Sequence, residues 1–321
     1  MKESIAVHDR TETEPGDDGY TKYLIPFGLM AQNELQTMVA KSCIADELKS
    51  MPSILARWQG IQPKVRALLD CETNNRFADS CLGEPIPEEA REQVMEEIRR
   101  PEFQRTFGRT QFTLEMVEID KLVASQRTIN LDYVGLLLKK LTPNPELRDV
   151  VALCLASSSG YAAVNYMETG GGAHVFTSAN DDLRFLGVRY VPPVGDSLVQ
   201  AAASGGVPVG AVMAFVGFGA HQVSAFRIGD RVILSNGFHR VYCLRAAGVR
   251  RIPVVVQRID NFQLELPPMI AHLPREYLVE STRPALLKDF FDPDLTITIR
   301  AKRRRKVVTI AVGAEQVDIP I

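Results

Sequence analysis

Between Leu24 and about Arg100 the apolar positions follow a helical period. Leu29, Leu35, Met38, Val39 and Ile44 fall near a spacing of about 3.6 residues. The stretch IPEEAREQVMEEIRRPEF opens with Pro87 and two glutamates, closes with two arginines and stops at Pro101, the charge order that a helix macrodipole favours. At Gln111 the pattern becomes alternation, with Phe112, Leu114 and Met116 separated by polar neighbours, and a strand is predicted. LDYVGLLLKKL (131–141) follows as a short amphipathic helix closed by Pro143 and Pro145. LRDVVALCLASSSGYAAVNYM (147–167) is read as a helix packed by Val151, Leu155 and Ala162. TGGGAHVF is a loop leading into a strand, LRFLGVRYV is a strand, and VQAAASGGVPVGAVMAFVGFG is a small-residue segment ending in a buried strand. DLTITIRAKRRRKVVTIAV alternates on both sides of a basic tip and reads as a terminal hairpin.

One stretch admits two readings. In ILSNGFHRVYCLRAAGVRRIPVVVQ (233–257), Asn236-Gly237 between apolar runs signals a β-hairpin turn. The residues after it argue for a helix instead. Phe238, Val241, Leu244 and Ala247 recur at helical spacing, whereas strand alternation leaves neither face cleanly apolar. Gly248 stands where a helix C-cap belongs, and Gly229-Asp230 already supplies a hairpin turn one strand earlier. The parse is strand, turn, strand, glycine, helix, strand. Gly237 then opens a helix whose first amides lack intrahelical partners, a setting suited to a phosphate or carboxylate, with His239 and Arg240 alongside.

FRIGDRVILSNGFHRVYCLRAAGVRRIPVVVQ resembles the ParB/sulfiredoxin superfamily in its strand pair, its G-x-H-R turn, its short helix ending in glycine and its I-P-V-V strand. The matching residues are Gly237, His239, Arg240, Gly248, Ile252, Pro253 and Val254 to Val256. VEIDKLVASQRTINLDYVGLLLKKL is similar to the opening strand, basic turn and first helix of that family. The resemblance implies an α+β fold, a mixed sheet with short helices, preceded here by a helical region. It further implies nucleotide binding at the turn, with Asn236, Gly237, His239 and Arg240 on the ligand and Gln126 and Arg127 facing it. A nucleoside triphosphate with Mg is the cofactor it suggests, and Glu118 and Asp120 are the acids placed to serve as base or metal ligand. The family includes CTP-switched DNA clamps, sulfinic-acid reductases, free-serine kinases and proposed nucleases. The reductases need a cysteine after the glycine, where this chain has Phe238. The kinases use a glutamate near the first strand, for which Glu115 or Glu118 stands at the matching place.

Composition narrows the picture. Hydrophobic content is 45%, charged content 24% and net charge −2, so no global field draws the chain to nucleic acid or membrane. A nucleic-acid contact needs a local patch, and the run 300–306 with Arg303, Arg304 and Arg305 reads either as such a patch or as a solvated turn that blunts a sheet edge. The five cysteines are an odd number without C-x-x-C spacing, which argues against a zinc ribbon or disulfide framework and for a cytoplasmic setting. Asp181-Asp182 is read as a turn or cap, Gly170-Gly171-Gly172 as a loop, His174 and His221 as structural, and Cys243 as buried.

The expected organisation is a disordered tail at 1–23, a helical region at 24–108, and a ParB/sulfiredoxin-like domain at 109–265. The domain carries an insertion at about 143–221, and a C-terminal extension (266–321) ends in the basic-tipped hairpin. The first functional expectation is a nucleotide-binding protein acting on a phosphate bond, as a kinase or nucleotide hydrolase does. The alternative is a non-enzymatic DNA-associated or assembly protein that keeps the fold. Nucleotide, DNA and a second copy of the chain are the partners these readings name, and a membrane is not among them.

Overall fold

Alternation at Thr113–Glu118 and the apolar run Ile252–Val256 become neighbouring strands, and the sheet grows outward from them. A computed structural model describes residues 19–156, 163–180, 182–192, 209–271, 273–303 and 306–319. Of these, 163–219 and 306–319 form one unit, and 19–156 with 220–303 form the other.

In chain order the larger unit begins with β1 (Tyr20–Ile25), α1 (Gln32–Ser42), α2 (Ala45–Lys49), α3 (Met51–Asn74), β2 (Gly83–Glu84), α4 (Glu88–Arg99) and α5 (Pro101–Phe107). It continues with β3 (Thr113–Glu118), β4 (Val123–Ala124), β5 (Ile129–Asn130), α6 (Leu131–Lys140) and α7 (Leu147–Leu155). The smaller unit contributes β6 (Val164–Glu168), β7 (Ala173–Ser178), β8 (Leu183–Val191) and β9 (Ala211–Phe218). The chain then returns to the larger unit with β10 (Ser224–Ile228), β11 (Arg231–Asn236), α8 (Phe238–Ala246), β12 (Arg251–Arg258) and α9 (Phe262–Glu265). β13 (Met269–Ile270), β14 (Leu273–Pro274), α10 (Arg275–Glu280) and β15 (Ile297–Lys302) complete it, and β16 (Val307–Ala311) belongs to the smaller unit.

The larger unit is α+β. Its main sheet has the order β2-β3-β12-β10-β11-β4 and is mixed, with β10/β12 and β11/β4 parallel and the other pairs antiparallel. β12 is central, and Ile252, Val254, Val255 and Val256 are all buried, as a strand covered on both faces requires. α7 and α8 pack into the same core through Val151, Leu155, Val241 and Leu244. A second sheet, β15-β1-β5, is antiparallel throughout. It shares a separate apolar cluster with α1 and α3, built on Ile25, Leu35, Val39, Ile54 and Ile299.

Several expectations are corrected. Tyr20 to Tyr23, expected in a disordered tail, are part of a strand, because Tyr20–Ile25 pairs along its whole length with Ile297–Lys302. The helical region at 24–108 is not a separate body. α4 and α5 contribute Val94, Phe103 and Phe107 to the core of the main sheet. The helix predicted over 147–167 stops at Leu155, where Ala156 turns extended (ψ 136°), and Val164–Glu168 is a strand. Ala162, expected to pack that helix, lies outside the described residues. The insertion expected from about 143 therefore starts later, since α7 belongs to the core. β9 is largely exposed rather than buried. The terminal hairpin does not form: β15 pairs with β1 and β16 with β7. Alternation fixes that a segment is a strand, but not which edge it joins.

Candidate functional site

The turn from β11 into α8 is built as its sequence suggests. Gly229 (φ +57°) turns β10 into β11. Gly237 then adopts φ +95°, ψ 17° and stands at the N-cap of α8 without any side-chain cap. A side chain there is strained on two counts. A Cβ on Gly237 would lie 2.7 Å from Val223 Cγ2, in a backbone conformation that L residues avoid. At the far end Gly248 (φ +90°) closes the helix, with Val249 N–H donating to Leu244 C=O at 3.0 Å and Gly248 N–H to Arg245 C=O at 3.1 Å. Inside the helix the first amide to find an intrahelical acceptor is that of Val241, bonded to Gly237 C=O at 2.9 Å.

His239 lies in the first turn. Its Nε2 is buried and makes no hydrogen bond, and its ring meets Tyr133 of α6 edge-on at 5.4 Å. Burial, helped by the nearby Arg240 guanidinium, pushes the imidazole down to about 4, so the ring is neutral at physiological pH. The neutral ring offers one N–H and one lone pair. Arg240 reaches across to α7 and donates to Leu153 C=O at 3.2 Å. Val223 N–H to Cys154 C=O (2.7 Å) and Gln222 Nε2 to Leu155 C=O (3.3 Å) bind the next two carbonyls. Arg240 thus helps to cap the C-terminus of α7, where a cation is favoured.

The remaining expected residues divide. Asn236 is a fastener: its Nδ2 donates to Ala220 C=O and to Gln222 C=O (3.0 Å), which commits both amide hydrogens to the backbone. Gln126 bonds Thr128 C=O at 2.7 Å. Arg127 is held by Glu34 (3.0 Å) and by the hydroxyl of Tyr277 (3.1 Å), with its guanidinium over the Tyr277 ring. Its side chain is only 9% exposed, so it ties α1 to α10 and does not present itself to a ligand.

Glu118 and Asp120 are not brought to the turn. Asp120 accepts two hydrogen bonds from Arg245 (2.6 and 3.0 Å) in the last turn of α8. Arg245 lies about 12 Å along the helix axis from Gly237 at a rise of about 1.5 Å per residue. Glu118 pairs with Lys121 (3.3 Å) and faces Arg251 across the β3–β12 ladder. Both carboxylates are therefore engaged at the opposite end of α8 from the glycine.

Elsewhere, Cys243 is buried and its thiol is pushed up to about 11, which rules it out as a reactive partner of His239. Asp182 accepts from Gly219 N–H at 2.7 Å and organises a turn, while Asp181 lies outside the described residues. Gly172 (φ +74°) closes the turn between β6 and β7. His174 bonds the Tyr166 hydroxyl at 2.9 Å. Of the basic tip, Arg303 N–H donates to Gly19 C=O at 3.3 Å, and Arg304 and Arg305 lie outside the described residues.

A polar cleft of about 440 Å³, lined by Arg76, Asp79, Asp230, Arg231, Glu280 and Thr282, sits at the other end of β11. Sequence reasoning missed it, because its walls come from three distant segments. Of its two guanidiniums, Arg231 is saturated by Asp79 and the carbonyls of Leu278, Val279 and Ser281, and Arg76 pairs with Asp79 at 3.6 Å. Among the described residues no helix is long and apolar enough to cross a membrane, and no group of three His, Cys, Asp or Glu side chains is placed to hold a metal. The chain matches none of the family models, curated proteins or solved structures with which it was compared.

Proposed function

We propose that this chain binds the phosphate of a nucleotide at the strand-to-helix turn Gly237–Arg240. The observation that carries the reading is the start of α8: a left-handed Gly237, no side-chain cap, and beside it a buried, partnerless His239 Nε2. A helix N-terminus presents backbone N–H groups and the positive end of its dipole to an anion. The neutral imidazole adds one directed hydrogen bond, and the Arg240 guanidinium adds charge next to it. The order of elements from β10 to β12 supports the ParB/sulfiredoxin-like character that the G-x-H-R turn suggests. Asn236, Gln126 and Arg127 act in this reading as supports of the turn and of the loop before β5. Glu118 and Asp120 take no part, and the function is one of binding.

A thermal-shift screen of the full chain with the four nucleoside triphosphates, with and without magnesium, tests this. A ligand that binds the native state alone, at about 100 times its Kd, stabilises it by about 2.7 kcal/mol. At least one triphosphate is expected to raise the melting temperature. No shift with any of them overturns the proposal.

A further inference from the structure

β4 and β11 run parallel, with Ala124 beside Leu234, so the segment 125–130 leaves the main sheet at the same edge as Gly237. Ser125 Oγ donates to Leu234 C=O at 2.6 Å and fixes that departure. The carboxyl ends of parallel strands are where open α/β sheets place their ligands. α6 begins directly after the segment, and its N-cap Asn130 accepts the N–H of Tyr133 at 3.0 Å. The helix turns Val134 and Leu137 toward the core of the main sheet. Tyr133 stays out of that core and is 45% exposed. Its ring centroid lies 5.4 Å from that of His239, with the planes 81° apart. Asp132, its neighbour in sequence, is drawn to β1, where it accepts Lys22 N–H at 3.0 Å.

A large aromatic ring gains by burial, and Tyr133 forgoes much of that gain. The ring instead meets the imidazole whose Nε2 is buried without a hydrogen bond. An anion held by the amides of Phe238, His239 and Arg240 lies beside that imidazole, and Tyr133 stands one ring further out. In a nucleotide the sugar spans a gap of this kind between phosphate and base. A half-exposed aromatic side chain is a stacking surface, and every base has a π face to lay on it. Inorganic phosphate and sugar phosphates bring no ring that could use it.

Given phosphate binding at Gly237–Arg240, on which this inference rests, we propose that Tyr133 is the base-stacking residue of the same site. The ligands are then nucleoside polyphosphates, in preference to inorganic polyphosphates and sugar phosphates. Calorimetry of the full chain tests this with the four nucleoside triphosphates and with inorganic tripolyphosphate, which carries the phosphate chain and no base. The parent is expected to bind at least one nucleoside triphosphate more tightly than tripolyphosphate. Tyr133→Ala weakens binding of that nucleotide by about tenfold, the scale of one lost base–aromatic stack, and leaves tripolyphosphate affinity unchanged. Tyr133→Phe keeps the ring and binds as the parent does. Tyr133→Leu keeps an apolar side chain beside His239 but no π face, and it shows the same selective loss. That variant decides the matter if the alanine variant fails to fold. Nucleotide affinity untouched by loss of the ring, or a parent that binds tripolyphosphate as tightly as any nucleotide, overturns the proposal and leaves phosphate binding standing. An equal loss for both ligands does the same, since Tyr133 would then only hold His239 in place. No binding of any triphosphate or of tripolyphosphate by the parent overturns phosphate binding itself, and the stacking role with it.

Discussion

Gly237 is the residue on which the helix entrance depends, because two separate constraints meet there. Its φ of +95° costs an L side chain strain, and a Cβ would press on Val223. Gly237→Ala is expected to destabilise the fold by roughly 1–3 kcal/mol, read as a lowered urea midpoint with an unchanged slope. His239 leaves a pH signature. Its imidazole falls from the ordinary 6.5 to about 4 in the fold, so on acidification the unfolded chain takes up the proton first. The stability held by the neutral ring is complete above pH 6.5 and is lost as pH falls toward 4. At most about 3 kcal/mol is involved. His239→Gln is expected to flatten stability across that window, measured by denaturant titration at several pH values. An unchanged acid limb would show that the ring is not buried as described. A bound phosphate reverses the bias, because a neighbouring anion favours the imidazolium.

At the scale of elements, α8 is held at its start by the Arg240–Leu153 hydrogen bond to α7 and in its last turn by the Arg245–Asp120 pair. The parse strand–glycine–helix–strand was legible because Gly237, Gly248 and the spacing of Phe238, Val241 and Leu244 are local signals. The partners of the charged residues were not legible. Asp120 and Arg245 are 125 positions apart in the chain, and Arg127 and Tyr277 are 150 apart. No local pattern announces such pairs, so carboxylates and an arginine that look free in sequence turn out to be structural. Asp120→Asn tests this assignment. It is expected to cost about 1–2 kcal/mol, since the pair is bidentate and about a quarter exposed, while leaving nucleotide affinity unchanged in calorimetry. A large loss of affinity in a folded Asp120→Asn protein would restore the carboxylate to the site.

Over the whole molecule the same contrast holds between what is local and what is distant. Alternation in 295–311 identifies two strands, yet one joins the sheet of the larger unit and the other the sheet of the smaller unit. The α+β class was expected from the family resemblance, while the change of period at Gln111 marked only the strand β3. The strand at Tyr20 escaped because its pairing partner lies some 280 residues away. The smaller unit was expected only as an insertion at about 143–221, because β16, which completes its sheet, comes from outside that range. For the larger unit the central claim is phosphate binding at the start of α8. Isothermal titration calorimetry of the full chain with each nucleoside triphosphate in magnesium, on the parent protein and on Arg240→Ala, tests it most directly. Saturable binding of at least one triphosphate by the parent, lost in Arg240→Ala, is the expected result. No binding by the parent, or equal affinity in Arg240→Ala, contradicts the account.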